Sequence, residues 1–378
     1  MPGPLMLIAA TIQRPTLLLD EAVCRANIEW MARKAARTGT RLRPHAKTHQ
    51  SAAIAEWLRD AGVTALTTSS VTMARYFADH GWQDLTIAFP VNWRELGDIA
   101  ELAGRVRLAL LASHEQGAHF LAGQLQQNAD VWLEVDAGDG RSGVSWDEAE
   151  RLDEMRRIIE AAPQLRLRGL LSHGGHSYEA RDAPSAAASW AESLLRLRSL
   201  REALRNRGAG PLAISPGDTP GCMAAADFAD IDEVRPGAFV FHDLMMRQIG
   251  VCREEDMALG VACPVVDVQA ARRQWVIYGG AVHLSRDALS ENGRLHYGEI
   301  AAFDAERGWG ESIPGARVVH LSQEHGLVQT DAAHFDRFQP GDLLVVRPVH
   351  ACLTAHHLRG YRTLRGQWLP MMAGPEEA

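Results

Sequence analysis

Eight short apolar runs, separated mostly by helix-length amphipathic segments, constrain this chain more than any other feature. They lie at 41–46, 65–69, 85–90, 106–112, 131–135, 167–172, 212–215 and 233–241. Between them fall stretches with helical spacing, such as 51–59, 71–79, 146–161 and the longest, 186–205. Strand-like runs alternating with helices are the sequence form of a parallel sheet, and a count of eight is that of a closed (β/α)8 barrel. An open doubly wound sheet shows the same alternation, so the count carries the distinction. A lead-in ends at Thr16-Leu17-Leu18-Leu19, and Asp20 then caps a helix closed by Gly39.

After His242-Asp243 the texture changes. The runs 261–268, 274–278, 317–321 and 342–346 are short and β-branched, with Gly, Pro and charged turns between them. This predicts a second, mostly antiparallel β domain. The expected organisation is an α/β barrel over 20–243, with 1–19 plus 244–378 forming the β domain. The tail from Gly374 to Ala378 is expected to be disordered.

Composition excludes several function classes. The chain of 378 residues is 46% hydrophobic and 23% charged, with a formal net charge of −8. That balance gives nucleic acid or an anionic membrane no electrostatic attraction. No segment approaches the ~20 apolar residues of a membrane span. Five scattered cysteines argue against a disulfide framework and for a reducing compartment. Met1 to Ala10 is apolar but lacks a basic leader, and the expectation is a cytoplasmic protein.

Polar and glycine residues cluster just after the runs, on the rim where barrels build their sites. In Arg43-Pro44-His45-Ala46-Lys47-Thr48-His49 a lysine stands between two histidines where strand gives way to helix. Neighbouring cations and partial desolvation lower an ammonium pKa and make the amine a nucleophile; the other reading is a surface lysine after a turn. Asp136 to Gly143 is a glycine-rich bend carrying Arg141, either a donor to an oxyanion or a surface arginine paired with Asp136 or Asp139. His173-Gly174-Gly175-His176-Ser177-Tyr178 offers metal-binding or ring-stacking groups.

Ser215-Pro216-Gly217-Asp218-Thr219-Pro220 and Arg235-Pro236-Gly237-Ala238 each read as an ordinary βα turn or a phosphate cradle. Together, at the seventh and eighth runs, they match the usual barrel phosphate site. In His350-Ala351-Cys352, extended backbone would turn both side chains to one side. One nitrogen and one sulfur suit zinc; a buried structural cysteine is the alternative. Glu324-His325-Gly326 is expected to supply supporting groups.

In order and spacing these motifs resemble the fold-type III pyridoxal-phosphate enzymes, and within them the D-serine dehydratase and D-threonine aldolase family, over nearly the whole chain. The resemblance implies Lys47 as the Schiff-base lysine and α-proton base. It places Arg141 beside the cofactor's phenolic oxygen, and Ser215, Gly217, Thr219, Gly237 and Ala238 at its phosphate. His173 and Tyr178 fall near the ring and substrate, and Arg235 faces the pyridine nitrogen. His350 and Cys352 correspond to a zinc pair, with Mn2+ as another divalent choice. The implied reaction is dehydration of a D-3-hydroxy amino acid, D-serine foremost, by a homodimer with its active site near the subunit interface. D-threo-3-hydroxyaspartate dehydration and D-threonine aldol cleavage are the rivals within the family, where aldolases carry a carboxylate at the place of Cys352. A non-catalytic pyridoxal-phosphate-binding protein, lacking a β domain, is the rival outside it.

Overall fold

The computed structural model describes residues 8–373; the expected disorder of the tail falls outside them. The chain forms two compact units. One comprises 28–47 and 55–239, the other the chain through Asn27 together with 48–54 and 240 onward.

The first unit is a parallel barrel. Its strands are Arg41–Leu42, Leu66–Thr68, Asp84–Pro90, Arg107–Ala112, Ala129–Asp136, Leu165–His173, Ala213–Gly217 and Glu233–Val234, one in each predicted run. Every neighbouring ladder among them is parallel. The ring closes where Glu233–Val234 pairs with Arg41–Leu42 and where Arg235 N–H donates to Pro216 O at 3.2 Å. An isolated bridge from His45 to Thr67 completes it. Trp132, Ala109, Leu111 and Leu171 pack together inside, so the alternate residue Glu134 projects inward beside Trp132.

The eighth run falls short of its predicted length. Only Glu233–Val234 is strand, and Ala238–Val240 is a 3-10 turn. Pro236 has no N–H for a ladder, and the Gly237 and Ala238 amides donate to the Thr219 hydroxyl instead. The longest helix, Ala183–Asn206, starts at Asp182, whose carboxylate accepts from Ser185 N–H at 2.8 Å. Its inner stripe of Ala186, Trp190, Leu194, Leu197, Leu200 and Leu204 keeps the spacing of a packed helix face.

In the second unit, strand Leu259–Gln269 pairs with Gln274–Tyr278, Leu343–Pro348 and Thr16–Leu19, all antiparallel. His325–Gln329, Gly308–Leu321 and Gly298–Asp304 continue round from Gln274–Tyr278 to Leu343–Pro348, so six strands close on themselves. Closure leaves those six without an open edge. Leu18, Ala262, Ala301, Trp309 and Val345 form the core. Asp20 caps the following helix through Ala22 N–H at 2.9 Å and Val23 N–H at 3.1 Å. All five cysteines are free thiols, and no helix among the described residues is long and apolar enough to cross a membrane.

Four histidines, His49 and His242 buried and His45 and His173 partly buried, are held neutral. Burial lowers His49 and His242 to about 4 and His173 to about 3, and it holds His45 well below the usual range. The unfolded chain binds protons at these sites below about pH 6.5 while the fold does not, so stability falls as pH drops through that value. His49, His173 and His242 are each expected to forfeit roughly 2 kcal/mol at pH 5. Urea denaturation at pH 7.5 and 5 measures this, and equal stabilities would contradict it.

Candidate active site

A cavity of about 320 Å³ opens in the barrel unit, lined by His45, Lys47, Glu134, Arg141, His173 and Arg235 with Phe89, Leu111 and Leu171. Its size suits a small aromatic ring with attached groups. Lys47 sits in the 3-10 turn Ala46–Thr48 that follows the first barrel strand, and its N–H donates to His45 Nδ1 at 3.4 Å. Burial, with Lys47 and Arg235 close by, keeps His45 uncharged.

The bend after Ala129–Asp136 folds back on its own strand. Asp136 Oδ1 accepts from Gly138 N–H at 2.8 Å and Gly140 N–H at 3.1 Å, which shapes the turn. Gly143, at φ +95°, lies so close that a Cβ there would come within 2.8 Å of Glu134 O. Ser142 Oγ donates to Glu134 Oε1 at 2.7 Å. Arg141 is thereby brought to the cavity wall while staying largely exposed; Asp139 stands 3.8 Å from its Nε.

Glu134 carries no motif in the sequence; only its place in an apolar strand marks it. Its side chain is buried, and among the described residues Oε2 has no hydrogen-bond partner. Burial raises its pKa. An unsatisfied acceptor on the cavity wall calls for a donor from whatever occupies the space.

His173 donates from Nδ1 to Gly217 O at 2.5 Å, since a carbonyl only accepts. That leaves Nε2 as the acceptor nitrogen of a neutral ring. Its ring centroid is 6.4 Å from that of Tyr178. The Tyr178 hydroxyl accepts from Thr219 N–H at 3.3 Å, and Thr219 Oγ1 accepts from Gly237 N–H at 3.2 Å and Ala238 N–H at 3.0 Å. Three amides and two hydroxyls thus meet at the ends of the last two barrel strands, a donor set that fits a phosphate. A Cβ on Gly217 would come within 2.8 Å of Arg235 Cβ, so this crossing needs glycine.

Ser215 stands differently from the expectation. Its buried hydroxyl donates to Glu233 Oε1 at 3.0 Å and accepts from Arg235 Nε at 2.9 Å, so it is engaged by the end of the last barrel strand. Arg235 also donates from Nη2 to Ser172 O at 2.6 Å and Ser215 O at 2.9 Å. Burial lowers its pKa to about 10, which leaves it charged at neutral pH.

In the β unit, His350 is the N-cap of helix Ala351–Leu358, and Cys352 lies in the first helical turn. The expected extended backbone is therefore corrected: a helix begins at Ala351, yet the thiol still hydrogen-bonds the imidazole. Cys352 Sγ also lies 3.4 Å from Thr48 Oγ1. Burial opposes charge on His350, but hydrogen bonds to Asp287 and Cys352 prevail and raise its pKa to about 10. The N/S donor set of the pair fits zinc. Among the described residues no cluster of three or more His, Cys, Asp or Glu that could hold a metal ion is present. Glu324 faces His283 at 3.6 Å. The carboxylate on His350 is Asp287, which no sequence motif marks.

Thr219→Val should cost about 1–3 kcal/mol of stability, because two buried amides lose their acceptor. Urea denaturation of the variant checks this, and an unchanged midpoint would show that the amides are satisfied otherwise.

Comparison with known proteins identifies the family. The alanine racemase N-terminal domain family matches residues 19–244, and the serine dehydratase domain family matches 258–364. The chain is 34% identical to D-threo-3-hydroxyaspartate dehydratase of Delftia sp. (strain HT23) over 94% of each. It is 23% identical to D-serine dehydratase of Dictyostelium discoideum over 93% of each, and 30% identical to D-threonine aldolase of Arthrobacter sp. over 62% of each. The solved structure of the Delftia enzyme superposes with a TM-score of 0.89 at 29% identity, covering 99% of this chain and 100% of that one. A metal-free form of its cysteine-to-alanine mutant matches equally well. With these two family models matched and a 34% identical relative covered over 94% of its length, this chain belongs to the alanine-racemase-like family of D-serine dehydratases and D-threonine aldolases, a family of lyases.

Proposed function

We propose that the protein is a pyridoxal-phosphate- and zinc-dependent dehydratase of D-3-hydroxy amino acids, with D-threo-3-hydroxyaspartate ahead of D-serine as substrate. The observation that carries the reading is the cavity lining: Lys47 stands there with Arg141 and Arg235, and Glu134 is the only carboxylate among the lining residues. A cation excess favours a substrate with two carboxylates over one with a single carboxylate. The relative at 34% identity, a D-threo-3-hydroxyaspartate dehydratase, supports the same order and moves the preference away from D-serine.

Lys47 would hold pyridoxal phosphate covalently. Thr219, Gly237, Ala238 and Tyr178 would hold its phosphate, and Arg141, His173 and Arg235 would surround its ring. When bound, the cofactor supplies a sink for the negative charge that develops at the α-carbon. The Lys47 amine would take the α-proton. His173 offers Nε2 as an acceptor and cannot compete as a cation, because its ring stays neutral. Arg141, exposed and loosely paired, is the side chain best able to meet a substrate carboxylate. His350 and Cys352 would hold zinc, which supplies Lewis-acid help to the departing β-hydroxyl. The metal-free form among the Delftia structures supports a metal in this family. Loss of water followed by hydrolysis of the resulting imine gives a 2-oxo acid and ammonia, so atoms balance without an added oxidant.

The test is incubation of the holoenzyme with D-threo-3-hydroxyaspartate, D-serine and D-threonine. Ammonia and 2-oxo acid are expected, fastest from hydroxyaspartate; glycine with an aldehyde would replace this reading by the aldolase. Borohydride should fix a pyridoxyl group on Lys47, and labelling at another lysine would overturn its role. Chelation should cut water loss by roughly a thousandfold or more while cofactor absorbance persists, since Lewis-acid help is worth several kcal/mol.

Five free thiols accord with a cytoplasmic site of action. Assembly as a homodimer belongs to the same proposal. Sedimentation should give twice the chain mass, and a fully active monomer would refute it.

A further inference from the structure

We propose that Asp287 is the positioning residue of the His350–Cys352 pair, fixing the imidazole so that Nε2 is the nitrogen presented to a metal. This rests on the zinc reading above and adds to it a residue with its own test. His350 Nδ1 lies 2.5 Å from Asp287 Oδ2. An ionised carboxylate only accepts, so Nδ1 carries a hydrogen, and Nε2 is the nitrogen from which a metal would displace the other proton. Cys352 hydrogen-bonds the same imidazole, and with Nδ1 taken by Asp287 the nitrogen left to the thiol is Nε2. The His350 ring makes no capping bond to the helix it begins.

The two sides of this arrangement are held by different elements. Asp287 follows the short helix Ala281–Leu284 through Ser285, which is buried at φ +70° and whose hydroxyl accepts from Asp287 N–H at 3.3 Å. Thr354, on the helix that His350 opens, donates its buried hydroxyl to Leu284 O at 3.1 Å. That bond ties the Asp287 turn to the metal-pair helix. From the opposite side Asp243 Oδ2 accepts from Ala351 N–H at 3.0 Å, fixing the backbone between the two ligands, while its Oδ1 caps Met246 N–H at 3.0 Å. Asp243 therefore sets where the pair's backbone runs, and Asp287 sets how the ring is turned and which nitrogen is protonated. Without Asp287 the imidazole would divide between two tautomers and two ring orientations, and only one combination offers Nε2 beside the thiol. A carboxylate on the far nitrogen also makes the ligating nitrogen more basic.

Zinc affinity, measured on purified holoenzyme by competition with a chromogenic chelator, tests the assignment. Asp287→Ala should weaken zinc binding by about 10–100-fold with the cofactor absorbance unchanged. Asp287→Asn should fall between parent and Asp287→Ala, because its carbonyl still accepts from Nδ1 without the charge; being isosteric, it also separates ring positioning from a folding defect. If Asp287→Ala and Asp287→Asn bind zinc as tightly as the parent while His350→Ala does not, the inference is overturned and the metal pair stands. If His350→Ala and Cys352→Ala both retain the parent's zinc affinity, the zinc reading itself fails and takes the inference with it.

Discussion

A buried line of charge and hydrogen bonds runs through the barrel unit, and the candidate active site depends on it. Asp84 Oδ1 accepts from Arg43 Nη1 at 2.7 Å, Arg43 Nε donates to Glu233 Oε2 at 2.6 Å, and Glu233 Oε1 accepts from the Ser215 hydroxyl, which in turn accepts from Arg235. Taking two guanidinium groups out of water is costly unless each finds anions or carbonyls, and each does. Glu233 and Asp84 overcome the burial of Arg43 and raise its pKa, while Arg43 and Arg41 overcome the burial of Asp84 and lower its pKa. Loss of one member would strand its partner, at about 3–5 kcal/mol. The same line ends in Arg235 on the cavity wall, so the network that closes the ring also fixes a cation at the site.

Backbone supplies most of the rest. Pro44 and Pro236 both fall just past the ends of barrel strands, where a residue without an N–H removes one donor from the ladder. The chain released by the first places Lys47 in its turn, and the amides released after the second meet Thr219. The Arg141 bend is likewise set by backbone groups, two amides on Asp136 and a glycine pressed against Glu134 O. Side chains at the site are thus carried on segments whose conformation is settled by hydrogen-bond accounting.

The β unit achieves rigidity by another route. Closing six antiparallel strands gives a firm frame, and the candidate metal pair sits at the start of a helix that leaves that frame after Pro348. A helix start offers unsatisfied amides, which Asp243 takes up at Ala351. The arrangement keeps the His350 imidazole free of capping duty and able to bond Asp287 and Cys352.

Much of this was legible in the order of residues. Each of the eight strands overlaps one of the eight apolar runs, since alternation of burial and helix-length spacing is written locally. Lys47, the Asp136–Gly143 bend and the His350/Cys352 pair are visible because proline, glycine and rare ligand residues punctuate the chain. Three features were decided only by tertiary structure. Ser215 gives its hydroxyl to Glu233 and Arg235, eighteen and twenty residues away, where its motif pointed to phosphate. Cys352 converges on His350 through a helical turn instead of a strand, because Ala351 is captured by Asp243 across 108 residues. Glu134 and Asp287 carry no local signature, and each gains its meaning from what folding places beside it, a cavity in one case and an imidazole 63 residues away in the other. Periodicity and turn chemistry act over a few residues and can be read in order; the partner of a buried charge is fixed only when distant segments meet.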